Sequence, residues 1–242
     1  MREGKVSAIL NEFSTIRDSN PVIFLDYDGT LVPIIKNPDE SFPDDEIMGI
    51  LKTLRKKYDL YIVTGRSLRE IREFIGGSFN VLALHGAIIS LEDGTTNFVR
   101  DYGKYRKKCD DIYGSKNEFE AKYPGIQIIN KDGGLVFTKW FVPEKLHEKL
   151  VEEVRSISAA NNMELYLGKM IVELRIPGPD KGKAIYGIRN GRPSLIVGDD
   201  LTDEDAFREN ADALTIHIGN GETAAHYSLS NYLELRQLLA EL

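Results

Sequence analysis

The sequence has 242 residues, 42% of them hydrophobic and 29% charged, which excludes a disordered or fibrous chain and leaves room for a substantial core. A formal charge of -7 excludes a general binder of nucleic acid or anionic membrane, because such proteins gather basic surface, whereas one small phosphate ester needs only a local positive site. Cys109 is the only cysteine, so intramolecular disulfides and cysteine-based metal clusters are excluded and a reducing cytoplasm is the expected compartment. Residues 1–20 are interrupted by Arg2, Glu3, Lys5, Glu12, Arg17 and Asp18 and do not read as a signal peptide. No apolar run is long enough to span a bilayer.

Val6, Ile9, Leu10, Phe13 and Ile16 recur at helical spacing, which predicts an amphipathic first helix. Pro21 then introduces Val22-Ile23-Phe24-Leu25, a short apolar run with the β-branching of a buried strand, ending at Asp26-Tyr27-Asp28-Gly29-Thr30. A helix is expected over Asp45–Lys57, followed by a buried strand at Leu60–Val63 that ends in Thr64-Gly65-Arg66. Ser67-Leu68-Arg69-Glu70 fits a capping box opening the next helix, and Asn80–Leu84 reads as a third strand. This alternation predicts an α/β domain with a parallel sheet.

The rhythm changes in the middle. A helical stretch from Asp101 to Tyr123 precedes two strands, Ile126–Asn130 and Leu135–Phe141, joined by the turn Lys131-Asp132-Gly133-Gly134. A helix over Glu144–Ala160 and two strands, Glu164–Leu167 and Met170–Ile176 joined at Gly168-Lys169, repeat the unit and suggest an α+β insert with an antiparallel sheet. After Pro177-Gly178-Pro179 the first rhythm resumes with a helix from Gly182, a strand at Ser194–Val197, a helix near Asp203–Glu209 and a strand at Ala213–Ile218. The expected organisation is a discontinuous core, residues 1–100 and 178–242, with a cap over 101–177.

In an open parallel sheet the functional loops collect at the carboxyl ends of the strands, and three strands here end in polar or acidic clusters. Asp26 and Asp28 flank a tyrosine just past a strand, and Gly29 lets backbone approach a ligand. A local Asp turn is the plainer account, and a calcium loop lacks its remaining ligands and closing Glu. Gly198-Asp199-Asp200-Leu201-Thr202-Asp203-Glu204-Asp205 crowds like charge that a cation relieves, and oxygen ligands favour magnesium. Glu204 and Asp205 fit the alternative of acidic residues at a helix N-terminus, which leaves Asp199 and Asp203 for the site. Thr64 and Gly65 offer a hydroxyl and an N–H to an anion, and Lys181 offers a point charge.

Asp26-Tyr27-Asp28-Gly29-Thr30, Thr64, Lys181 and Gly198-Asp199 with Asp203 resemble the haloacid dehalogenase-like phosphotransferase superfamily in motif, order and cap position. The fuller strings DYDGTLVPI, IVTGR, DKGKA and GDDLTDEDAF, with GKMIVELRIP in the insert, look like the trehalose-6-phosphate phosphatase family. The resemblance implies a Rossmann-like doubly wound core with an inserted α+β cap that closes over a sugar phosphate. It implies Asp26 as nucleophile, Asp28 as acid and base, and Thr64, Gly65 and Lys181 as phosphate clamp. Magnesium would be held by Asp26, the Asp28 main-chain carbonyl, Asp199 and Asp203, while Glu173, Arg175 and Lys131 would meet the sugar. Related enzymes often carry Glu-x-Lys followed by a histidine in the middle strands. Here Ile129-Asn130 precede Lys131 and no histidine falls before Phe141, so sucrose-phosphate and mannosyl-phosphoglycerate phosphatases are the alternative. A non-catalytic sugar-phosphate-binding module is the alternative from another class, and retention of Asp26 and Asp28 speaks against it. His85, next to Gly86, falls at the expected hinge. A monomer with no nucleic-acid or membrane partner is expected.

Overall fold

The structure, a computed structural model, describes residues 2–35, 37–168 and 170–242, so Lys169 of the expected Gly168-Lys169 turn lies outside the described residues. The chain forms two compact units: the part up to Asn97 together with Asp180–Leu242, and the insert Phe98–Pro179.

The larger unit begins with α1 (Arg2–Ile16), β1 (Val22–Asp26), α2 (Asp45–Leu54), β2 (Asp59–Val63), α3 (Leu68–Ile75), β3 (Asn80–Ala83), β4 (Ile88–Ser90) and β5 (Thr96–Phe98). Ser67 caps α3: its hydroxyl accepts from Glu70 N while the Glu70 carboxylate accepts from Ser67 N, a complete capping box. The insert contributes α4 (Tyr102–Tyr113), α5 (Lys116–Lys122), β6 (Ile128–Asn130), β7 (Leu135–Thr138), α6 (His147–Asn161), β8 (Glu164–Leu167) and β9 (Ile171–Arg175). The larger unit then resumes with α7 (Lys181–Arg189), β10 (Ser194–Gly198), α8 (Leu201–Glu209), β11 (Leu214–Ile218), β12 (Tyr227–Leu229) and α9 (Tyr232–Glu241).

The sheet of the larger unit has the order β12-β11-β10-β1-β2-β3-β4-β5. It is parallel from β12 to β3, and β4 joins antiparallel to β3. Every residue of β1, β10 and β11 is buried, which is why Val22-Ile23-Phe24-Leu25 and Leu195-Ile196-Val197 read as unbroken apolar runs, while β11 also buries Thr215 and His217. Val22, Phe24, Val63, Leu82 and Ile196 pack with Ile185 of α7 and Ala206 and Phe207 of α8 on one face. Elsewhere in the unit α1, α2 and α9 pack together, with Phe13 edge-on to Tyr58 at 5.5 Å between ring centres. The chain runs outward from β1 through β2 and β3 on one side and through β10, β11 and β12 on the other. The β1/β10 junction is therefore a topological switch point, where the strand ends open a crevice.

The insert has its own antiparallel sheet, β6-β7-β9-β8. Leu135, Phe137, Val172 and Leu174 are fully buried, as are Leu150 and Val154 of α6, while Phe119 of α5 lies 5.3 Å from the Phe137 ring. Alternation then assigns Val136 and Glu173, which pair across β7 and β9, to the opposite face. The expected single helix over Asp101–Tyr123 is two helices, since α4 ends at Gly114 and α5 restarts after Ser115. Glycine costs about 1 kcal/mol in a helix interior relative to alanine, which marks the place to break. Cys109 is buried here, and burial pushes its thiol up to about 12.

Candidate active site

Asp26 is the last residue of β1, and Asp199 directly follows β10, so the two central strands deliver both carboxylates to the switch point. Local sequence sets their spacing. Gly29 has φ +88°, and a Cβ there would lie 2.1 Å from Asp199 Oδ2, so only glycine admits the Asp199 carboxylate at this point. Next to it, the Thr30 hydroxyl donates to Asp199 Oδ1 at 3.2 Å. Gly198 plays the same part for Asp203, whose Cγ would lie 2.1 Å from an added Cβ.

The acidic run folds by capping itself. Asp200 is the N-cap of α8 and accepts from Thr202 N at 2.8 Å and Asp203 N at 3.1 Å. Asp203 Oδ2 reaches back to accept from Asp199 N at 3.1 Å and Asp200 N at 3.2 Å. Asp203 Oδ1 accepts from Lys181 Nζ at 3.0 Å, and the same ammonium donates to Asp26 Oδ1 at 2.7 Å. Lys181 is the first residue of α7, behind the N-cap Asp180, and its side chain is only 2% exposed; Lys183, two residues on, is exposed.

Carboxylate oxygens of Asp26, Asp199 and Asp203 all lie within 4.8 Å of one another. Burial, then repulsion from Asp203, drives the Asp26 carboxyl well above the usual carboxylate range despite Lys181. Asp199 is pushed up to about 7 by burial and by Asp203 and Asp200, and Asp203 to about 6, chiefly by burial. Burial alone would lower Lys181, but Asp203 and Asp26 outweigh it and raise the ammonium well above its ordinary value. Oxygen donors held this close, each pushed up first by burial and then by a neighbouring carboxylate, fit a hard divalent cation. Asp203, with both oxygens already engaged, fits a supporting place better than a direct one.

The Asp28 carboxylate does not join this group. It is paired through both oxygens with Arg66, at 2.6 and 2.7 Å. The Thr-Gly-Arg string by itself assigns Arg66 no role; its one signal is a cation directly after the Thr-Gly at a buried strand end. Thr64 is buried, and its hydroxyl accepts from Arg66 N at 3.0 Å. Because the cap of α3 is Ser67, Thr64 and Gly65 lie ahead of the helix rather than in its first turn. A Cβ on Gly65 would fall 2.6 Å from the His85 ring, and Leu84 and His85 both have left-handed backbone, with φ 49° and 54°. Gly65 thus admits the His85 side chain.

Glu173, Arg175 and Lys131 meet in the insert. Glu173 is buried; its Oε1 accepts from Lys131 Nζ at 3.0 Å and its Oε2 from Arg175 Nε at 2.8 Å. The Arg175 guanidinium lies 3.8 Å from the centre of the Tyr166 ring, a cation–π contact that the sequence did not announce.

A sequence profile described as trehalose-phosphatase matches residues 24–232. The chain belongs to the trehalose-phosphatase family. The family carries the enzyme class with it, that of phosphoric monoester hydrolases. A trehalose-6-phosphate phosphatase-related protein of Thermoplasma acidophilum is 40% identical over 218 residues, covering 90% of this chain and 95% of that protein. A crystal structure of a trehalose-6-phosphate phosphatase related protein superposes with a TM-score of 0.86 at 40% identity, covering 90% of this chain and 95% of that one. A haloacid dehalogenase-like hydrolase from B. subtilis, 16% identical with a TM-score of 0.59 over 91% of this chain and 99% of its own, shares the fold. No helix among the described residues is long and apolar enough to cross a membrane.

Proposed function

We propose that the chain hydrolyses trehalose 6-phosphate to trehalose and phosphate through an aspartyl-phosphate intermediate at Asp26. The observation that carries this reading is the buried Asp26–Lys181 contact beside Asp199 and Asp203 at the switch point, in a chain of this family. Asp26 attacks phosphorus, and Asp28 gives a proton to the leaving sugar oxygen and later takes one from water. Thr64, Gly65 and Lys181 bind the phosphoryl oxygens, and the Lys181 ammonium also orients the Asp26 carboxylate. Asp26, the Asp28 carbonyl and Asp199 would hold magnesium, with Asp203 in support. When bound there, the ion neutralises charge that builds on the transferring phosphoryl group.

The insert acts as a cap that selects the sugar: Glu173, held between Lys131 and Arg175, presents that cluster to sugar hydroxyls. Residues around Lys131 depart from the pattern of related enzymes, and this favours a second reading in which the substrate is a different sugar phosphate, of the sucrose-phosphate or mannosyl-phosphoglycerate type. The protein works as a monomer in the cytoplasm, with no nucleic-acid or membrane partner. Phosphate release from a panel of sugar phosphates, with and without magnesium, tests the assignment. Trehalose 6-phosphate should be the best substrate and the reaction should need the metal. Preference for another sugar ester replaces the substrate name, and absence of turnover on every ester returns the chain to the non-catalytic alternative.

A further inference from the structure

Arg66 ends the Thr-Gly-Arg string after β2, yet the phosphate clamp makes no use of it. Its guanidinium is buried and donates to the segment that follows β1: Nε to Asp28 Oδ2 at 2.7 Å, and Nη2 to Asp28 Oδ1 at 2.6 Å and to the Pro38 carbonyl at 2.9 Å. The Phe74 ring lies 4.7 Å away and the Tyr27 ring 5.8 Å. Phe42 packs on Phe74 at 4.3 Å, so the aromatic wall is itself supported. Most exposed aspartate–arginine pairs wander and contribute little. Here the arginine is fixed by rings and a carbonyl while the aspartate side chain is 39% exposed, so the arginine sets the direction of the carboxylate.

A planar fork that engages both carboxylate oxygens takes one lone pair from each and leaves each a second. Held this way, Asp28 keeps an open lone pair on each oxygen and can take a proton from water without leaving the fork. We propose that Arg66 is a positioning residue for the second half-reaction, orienting Asp28 as the base that activates water. This rests on the reading of Asp26 as nucleophile and Asp28 as acid and base. In that step the water oxygen bonds to phosphorus, the Asp26 oxygen–phosphorus bond breaks with its electron pair returning to the Asp26 carboxylate, and the proton shed by water goes to Asp28. The products are inorganic phosphate and free Asp26.

Pre-steady-state kinetics of the full chain with magnesium and p-nitrophenyl phosphate separates the halves, because nitrophenolate leaves without a proton from Asp28 and kcat/KM ends at its release, while kcat includes hydrolysis of the phosphoenzyme. Arg66→Ala should lower kcat by about tenfold or more, keep kcat/KM within about threefold, and produce a burst of nitrophenolate equal to the enzyme present. Arg66→Lys, which keeps the charge and loses the fork, should recover part of kcat; if the alanine variant fails to fold by circular dichroism, the lysine variant carries the same split. Equal loss in kcat and kcat/KM without a burst, or no change in either, overturns the proposal. Asp28→Asn tests the underlying reading separately: if it changes neither constant on a sugar phosphate, Asp28 is no acid or base and Arg66 has nothing to orient.

Discussion

The two buried ion clusters are opposite in balance. At the switch point three carboxylates, Asp26, Asp199 and Asp203, lie close together beside the ammonium of Lys181, which pairs with Asp26 and Asp203. In the insert one carboxylate, Glu173, is shared by two cations, Lys131 and Arg175. The first carries surplus negative charge and is completed by something positive. The second has its carboxylate neutralised by its own side chains and one positive charge left over, with Tyr166 beneath the Arg175 guanidinium. On the proposed function the first cluster serves chemistry and the second recognition, so substitutions in one should leave signatures that substitutions in the other do not.

Asp26→Asn should break the first cluster's function most completely. The side chain keeps its size and loses its nucleophilic oxygen, and turnover should fall by at least roughly a thousandfold with the thermal melt preserved. Substantial activity in a folded variant would rule out the aspartyl-phosphate route. The surplus negative charge should make activity vanish on chelation and return with magnesium, and Asp199→Ala should raise the magnesium requirement or remove activity. Full turnover in excess chelator defeats that account.

Removing the one cation is the next test. Lys181→Ala leaves Asp26 and Asp203 buried without their partner, and breaking such a pair costs about 3–5 kcal/mol, so it should lower both the rate and the melting temperature. Lys183→Ala, at an exposed position, is the control; a larger loss there would show that the wrong lysine has been assigned. In the second cluster, Glu173→Ala should cut kcat/KM on trehalose 6-phosphate by about tenfold, the scale of one charge-assisted hydrogen bond, and spare an aryl phosphate that has no sugar to read. Equal losses on both substrates would make Glu173 structural.

The smallest effect is on stability and pH. Asp199, raised to about 7, and Asp203, raised to about 6, bind protons more tightly folded than unfolded, where carboxyls titrate near roughly 4. A native state that holds more protons than the unfolded chain loses stability as pH rises. The metal-free protein should therefore melt at a lower temperature at about pH 8 than at about pH 5, and magnesium should raise the melting point more at the higher pH. A melting point that climbs across that interval refutes the crowding argument.

Strands whose burial is complete were the easiest to read. Val22-Ile23-Phe24-Leu25 and Leu195-Ile196-Val197 are apolar because both faces of the sheet are covered. β4, β5 and β12 span only three residues each and carry no readable period, and α9 had no strand after it to mark it. At the site, Asp26 and Asp199 were legible as acidic residues just past apolar runs, and Asp203 as part of the crowded acidic string that follows β10. Arg66 was not, because its meaning lies in the Asp28 it reaches across 38 positions and in the rings of Phe74 and Tyr27. The capping box at Ser67 was legible too, and it places Thr64 and Gly65 ahead of the helix.

The pairing of β1 with β10 also governs the order in which the chain folds as it is made. Val22 is synthesised early, but its neighbour Ser194 follows the whole insert, so the central pair of the larger sheet cannot close until that insert has emerged. All strands of the insert's own sheet lie within Ile128–Arg175, and its contacts are local by comparison. The smaller unit should acquire protease resistance first on ribosome-bound chains stalled before Ser194, while β1, β2 and β3 wait with one edge of β1 unpaired and open to aggregation.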